Sequence, residues 1–192
     1  SEVWVVSTSG GDARQFTSKP VNASSVAWLP DGNSISFLSR RSAQDENTQV
    51  YQMRIDGGEA RKVTAHKTGV SSYQWSPDGS KIAFSSTDPE SEEREKAKKE
   101  GRDENVYDEN FRQVRLWVVD ANGGDAKAVY DGEMSTWAYT WAPDNMTLAI
   151  QATSTPLVDA SMMYKRIYRV SLGGGPPELI TQTEGKLGNM AY

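Results

Sequence analysis

The sequence predicts an all-β fold: a partial β-propeller of four-stranded antiparallel blades with a short charged helical insertion. Three observations predict it. A phrase of Trp, one residue, Pro, Asp and a turn residue returns as Trp28 to Gly32, Trp75 to Gly79 and Trp141 to Asn145, and self-similarity at this length marks a blade array. Each copy is followed by a polar-flanked alternating run, the signature of a half-buried strand. Each unit then continues into a further strand, a Gly-rich turn and an edge strand, and four-stranded units set radially are propeller blades. Regular turn signals also mark sandwiches, but one phrase recurring in register is hard to obtain from a sandwich.

Within the second unit Tyr73 and Trp75 alternate, Pro77-Asp78-Gly79 reverses the chain, and Ile82 and Phe84 alternate on the return. Pro presets φ, Asp bonds its own backbone and Gly accepts a left-handed conformation, so this is a β-hairpin. Asn145 replaces Gly in the third copy and is the next best tolerated there. The third strands begin at Val3-Trp4, Val50-Tyr51, Leu116-Trp117 and Ile167-Tyr168. They lead into Gly10-Gly11-Asp12, Gly57-Gly58-Glu59, Gly123-Gly124-Asp125 and Gly173-Gly174-Gly175, followed by edge strands such as Ala60 to Thr64 and Ala126 to Tyr130.

The whole chain, 1–192, therefore reads as an incomplete propeller domain: a half blade over 1–19, blades over 21–65, 69–131 and 135–182, and the start of another over 188–192. Closed propellers have about four to eight blades. The remaining blades are expected in flanking sequence, in another fragment of the polypeptide or in a neighbouring copy.

Composition limits the function. The 192 residues carry a net charge of −5 and 36% hydrophobic residues, with mean hydropathy −0.66. No apolar run approaches the roughly 20 residues that cross a bilayer. An acidic chain without a basic stripe argues against nucleic acid, whose binding rests on neutralising phosphates. Cys is absent, which excludes disulfides and thiolate metal sites. A surface rich in Ser, Thr and Asn and free of cysteine points to an exported bacterial protein, periplasmic rather than cytoplasmic.

One segment breaks the repeat. Residues 88–114 hold Pro89 to Glu100, almost entirely charged, and then Gly101. Asp88 suits an N-cap, Pro89 the first helical position, and Gly101 a left-handed C-terminal stop, with acids leading and bases following. Glu92 with Lys96 and Glu95 with Lys99 are spaced for supporting ion pairs. The segment is expected to be a solvated helix protruding from its blade.

The aromatic-x-Pro-Asp-Gly hairpin followed by Ile82-Ala83-Phe84 resembles the TolB-type, WD40-like propeller repeat. The charged helix followed by Asn110 to Asp120 resembles the propellers of acylaminoacyl and dipeptidyl peptidases in the prolyl oligopeptidase (S9) family. That resemblance implies an N-terminal propeller over an α/β-hydrolase domain, filtering peptide substrates while a Ser, Asp and His of the other domain do the chemistry.

The sequence itself holds no such chemistry: it has no Gly-x-Ser-x-Gly elbow, and its single histidine, His66, falls in a blade connector where a polar surface loop is expected. No catalytic residue, metal ligand or cofactor site is assigned. Glu92-Glu93 sits in a charged helix of unlike sequence to the peptidases' amine-binding glutamates. The stretch from Asp120 to Asp125 lacks a calcium loop's ligand pattern. The first reads as a solvated helical face and the second as the blade's second turn. Trp4, Trp28, Trp75, Trp117 and Trp141 occupy repeat positions and are expected to pack between blades. Trp137 lies outside the repeat and, with Tyr139, opens a first strand, so these two are the substrate-contact candidates. Ser154 to Arg166 forms a longer excursion with apolar residues, a candidate interdomain contact.

Two functions follow: a noncatalytic propeller gating peptides to a serine peptidase's hydrolase domain, or a TolB-like propeller that docks proteins in the bacterial envelope. A sugar-processing propeller would need acids, histidines or metal ligands clustered at a channel.

Overall fold

A computed structural model describes residues 1–18, 22–41, 45–102, 111–181 and 186–192. The expected limits at 19, 21 and 182, and residues 103–110 of the insertion, lie outside the described residues. The fold is mostly β, built from antiparallel four-stranded sheets of a partial propeller. A two-stranded sheet pairs β1 (Trp4–Val5) with β2 (Arg14–Gln15). The next sheet orders β3 (Ser24–Trp28), β4 (Ser34–Ser39), β5 (Gln49–Arg54) and β6 (Arg61–Lys62) consecutively. Two more follow the same meander: β7 (Val70–Trp75), β8 (Lys81–Thr87), β9 (Val114–Asp120) and β10 (Lys127–Ala128), then β11 (Ser135–Trp141), β12 (Thr147–Thr153), β13 (Arg166–Ser171) and β14 (Glu178–Thr181).

The recurring phrase makes the same turn each time. Gly32 at φ 66°, Gly79 at φ 70° and Asn145 at φ 59° take the left-handed conformation, which costs Gly nothing and Asn little. The preceding aspartates accept backbone N–H bonds two residues on: Asn33 N to Asp31 Oδ1, Ser80 N to Asp78 Oδ1 and Met146 N to Asp144 Oδ1, each 2.9 Å.

The second strand of each four-stranded sheet, expected to be half-buried, is buried on both faces, so large and small residues alternate where polar and apolar ones would at a surface. Ile35 and Phe37 alternate with Ser34 and Ser36, and Ile82 and Phe84 with Ala83 and Ser85, all of them buried. Fourth strands are short, only 2 residues in β6 and β10.

The chain divides into two compact units, Ser1–Phe84 with Trp117–Lys127, and Ser85–Leu116 with Ala128–Tyr192. In the first, Leu38, Val50, Val63, Val70, Trp75 and Phe84 form one core cluster, and Val3, Ala23, Ile35, Phe37 and Tyr51 another.

Several expectations are corrected. Trp75 and Trp141 are 8% and 5% exposed, but Trp28 and Trp4 are 53% and 56% exposed, because the described residues do not cover their faces. The charged segment is helical as α1 (Glu92–Lys99), but its N-cap is Ser91, whose hydroxyl accepts from Arg94 N at 3.2 Å. Asp88 is held elsewhere, by Arg115. Arg102 N bonds Ala97 O and Gly101 N bonds Lys98 O, closing the helix in a Schellman turn with Gly101 at φ 78°. Residues 188–192, expected to open a further blade, form no strand, since a strand needs a hydrogen-bonding neighbour. A second short helix, α2 (Val158–Met163), occupies the later excursion. No helix among the described residues is long and apolar enough to cross a membrane.

Candidate functional site

One end of the sheet of β11 to β14 holds a β-bulge, a feature that β3 also carries between Ser24 and Ala27, together with the foot of the insertion. Its register slips between Thr136 and Ala138: Thr136 faces Ala152 and Ala138 faces Gln151, leaving Trp137 as the extra residue of a β-bulge. Bulges re-aim side chains and concentrate near functional sites. Trp137 is 37% exposed, and its indole Nε1 donates to Thr153 Oγ1 at 2.8 Å, which donates in turn to Thr155 O at 2.6 Å. The ring is therefore fixed yet partly open to solvent. Tyr139, two residues on, is half-buried.

The foot of the insertion reaches the same end. Asp88 N bonds Gln113 O at 2.8 Å, and Arg115 Nε reaches both carboxylate oxygens of Asp88, at 2.9 and 2.8 Å. Arg115 also donates to Gly132 O at 2.7 Å, and Arg112 Nε donates to Asp88 O at 2.6 Å. Beyond this clasp, Glu90 pairs with Lys98 of α1 at 2.5 Å, and that cation holds its carboxyl below the usual range. Gln113 Nε2 donates to Ser154 O at 3.1 Å, tying the insertion to the loop that carries α2. Gln113 Oε1 is buried without a donor. Val114 N donates to Ser135 Oγ, and Tyr130 OH shares a 2.7 Å bond with Thr136 Oγ1 beside the bulge; burial raises the Tyr130 hydroxyl pKa. On α2, Val158 and Met163 are largely exposed, as is Tyr164 at its C-terminal end.

Of the sequence-level candidates, Trp137 thus lies with the loop of α2 beside the clasped insertion, and Tyr139 two residues further along β11, opposite Ile150. His66 is elsewhere, in the first unit, and departs from the expected surface loop: its half-buried ring lies 4.6 Å from that of Trp117 and 5.3 Å from that of Phe84. The clasp of Asp88 with Arg112 and Arg115 escaped sequence reasoning, although an arginine just before a strand, another at its second residue and an acid just after the partner strand were the available signal. Asp120 accepts a bond from Asn122 N in the β9–β10 turn, as a turn aspartate does.

The profile of the TolB beta propeller domain, PD40, matches residues 1–111. The chain belongs to this family. As a TolB-type propeller it is similar to the putative TolB of Agrobacterium tumefaciens, at TM-score 0.62 and 21% identity over 98% of this chain and 59% of that one. It is also similar to Pyrococcus horikoshii acylaminoacyl peptidase, at TM-score 0.65 and 16% identity over 94% of this chain and 28% of that one. The β-propeller domain of the Trilobed protease from Pyrococcus furiosus matches at TM-score 0.59 and 14% identity, over 94% and 49%. At these identities the likeness shows the fold, shared by TolB and peptidase propellers. The TolB-type chain spans 59% or less of the length of these three. No curated protein sequence matches it.

Proposed function

We propose that this segment is the noncatalytic propeller of an S9-type serine peptidase, of the acylaminoacyl or dipeptidyl kind, and that it gates peptide access to an α/β-hydrolase domain outside the chain. Residues 21–65, 69–131 and 135–182 are its blades in this reading, and 1–19 a half blade. The observation that supports it is the clasped insertion between β8 and β9, tied at Gln113 to the loop of α2 beside the bulged Trp137. A hairpin joining two adjacent strands needs about 2–5 residues; an elaborated, ion-paired excursion there suits contact with something else. Trp137 and Tyr139 contact the peptide, Trp137 by an exposed aromatic face.

The test is a fluorophosphonate serine probe applied to the full-length parent protein, with the labelled peptide located by mass spectrometry. Labelling of a serine outside residues 1–192 is expected, and its absence overturns the reading. Trp137→Ala in the parent should shift kcat/KM between peptide substrates with little change in Tm; a large fall in Tm would make Trp137 a core residue instead.

The second reading is a TolB-like, protein-binding propeller of the bacterial envelope, favoured by the family match over 1–111 and by the 98% coverage against the putative TolB. A parent without a labelled serine that instead binds an envelope protein would establish it.

A further inference from the structure

We propose that a cavity in the first unit binds a free amino acid with an apolar side chain. The cavity, of about 220 Å³, is lined by the segment Thr64 to Lys67 after β6 and by Trp117, Val119 and Asp125 among others. It plays no part in the peptide-gating reading and stands without it.

Its walls are held from behind. Gln49, 3% exposed, donates to His66 O at 2.9 Å and accepts from His66 N at 3.1 Å, and Thr64 Oγ1 donates to the same Gln49 oxygen at 2.8 Å. Asn47 Nδ2 holds Lys67 O at 2.9 Å. The ring of His66 is fixed between Phe84 and Trp117, tilted 57° to the latter. On the other side Arg61 donates to Ala121 O at 2.9 Å. The turn comes so close to β6 that a Cβ on Gly123, at φ +90°, would stand 3.4 Å from Val63 O.

The chemistry on offer is threefold. Trp117 lines the cavity with its ring, while its buried indole N–H is turned away from solvent and reports on the ring's surroundings. Lys67 and Asp125 are exposed and of opposite sign, and His66, Trp117 and Val119 offer aromatic and apolar surface. An α-amino acid answers the cation, the anion and the apolar surface together: its carboxylate accepts from Lys67, its ammonium pairs with Asp125, and its side chain lies on the rings. A ligand of a single charge leaves one of the two side chains unused.

The experiment is a titration of the ¹⁵N-labelled chain with leucine, following the Trp117 indole resonance, assigned by its loss in Trp117→Phe. A saturable shift at millimolar leucine is expected. Leucinamide, which lacks the carboxylate, and N-acetylleucine, which lacks the ammonium, should each bind about two- to fivefold more weakly, the worth of an exposed ion pair. Lys67→Met and Asp125→Asn, both at exposed positions, should reproduce those losses with leucine itself. An indole resonance unmoved by leucine, equal responses to all three compounds, or unchanged leucine binding in both variants would each overturn the proposal.

Discussion

Trp75 on β7 and Trp28 on β3 stand at the same place in two copies of one phrase, yet one is 8% exposed and the other 53%. The difference is the neighbour. Trp75 Nε1 donates 2.8 Å to Ser36 Oγ of β4, and Ser36 also meets Tyr73 OH at 2.9 Å, whose hydroxyl donates on to Ser25 O at 2.7 Å. The copy at β3 has Val26 where β7 has Tyr73, and Val26 is 50% exposed. A repeat thus specifies a shape and a chemistry for its interface, while burial waits on the adjoining sheet.

That contrast can be broken by substitution. Trp75→Ala should cost about 3–5 kcal/mol, read by denaturant unfolding, and Trp28→Ala no more than about 0.5 kcal/mol, as exposed sites do. Equal losses would mean that something covers β3 in solution. Ser36→Ala removes the acceptor of the buried Trp75 indole N–H and the donor to the Tyr73 hydroxyl, and should cost about 1–3 kcal/mol.

A pH titration sharpens the contrast further. Burial pushes the Tyr73 hydroxyl up to about 12. A raised folded value means stability is intact below the unfolded tyrosine value near 10 and falls as pH rises from there toward 12, and Tyr73→Phe should abolish that alkaline loss.

The smallest effect belongs to the turn. Bonds from the Ser76 hydroxyl and from the Ser80 N–H and hydroxyl hold the Asp78 carboxyl down to about 2. A depressed value contributes stability above the unfolded carboxylate value of about 3.9 that is lost as pH falls toward 2. Asp78→Asn should flatten that acid limb of the unfolding curve.

How much of this was legible follows from distance along the chain. The phrase hairpins were, because Pro77, Asp78 and Gly79 act on their own backbone and need no partner. The second strands were legible as strands from the alternation of Ile82 and Phe84 but read as half-buried, because the sheets that cover Ala83 and Ser85 leave no local mark. The site was legible only in part. Trp137 stood out as an aromatic outside the repeat, but its bulge exists only in register with β12. Asp88 looked like a helix cap, and a charge 27 residues away claimed it first. His66 read as a surface residue because nothing local announces Trp117 as its aromatic neighbour.

The brevity of the outer strands has a consequence for life in concentrated solution. An exposed sheet edge is a template onto which another chain can zip. Here β2, β6 and β10 each offer 2 residues, and each includes a cation: Arg14, Arg61 with Lys62, and Lys127. Such edges give an intruding strand too little ladder to hold and a charge to desolvate. The exception is β14, 4 residues long with Leu179 and Ile180 exposed. Among these outer strands, edge-to-edge association would be seeded there, and a lysine in place of Ile180 would be the lightest change that guards it.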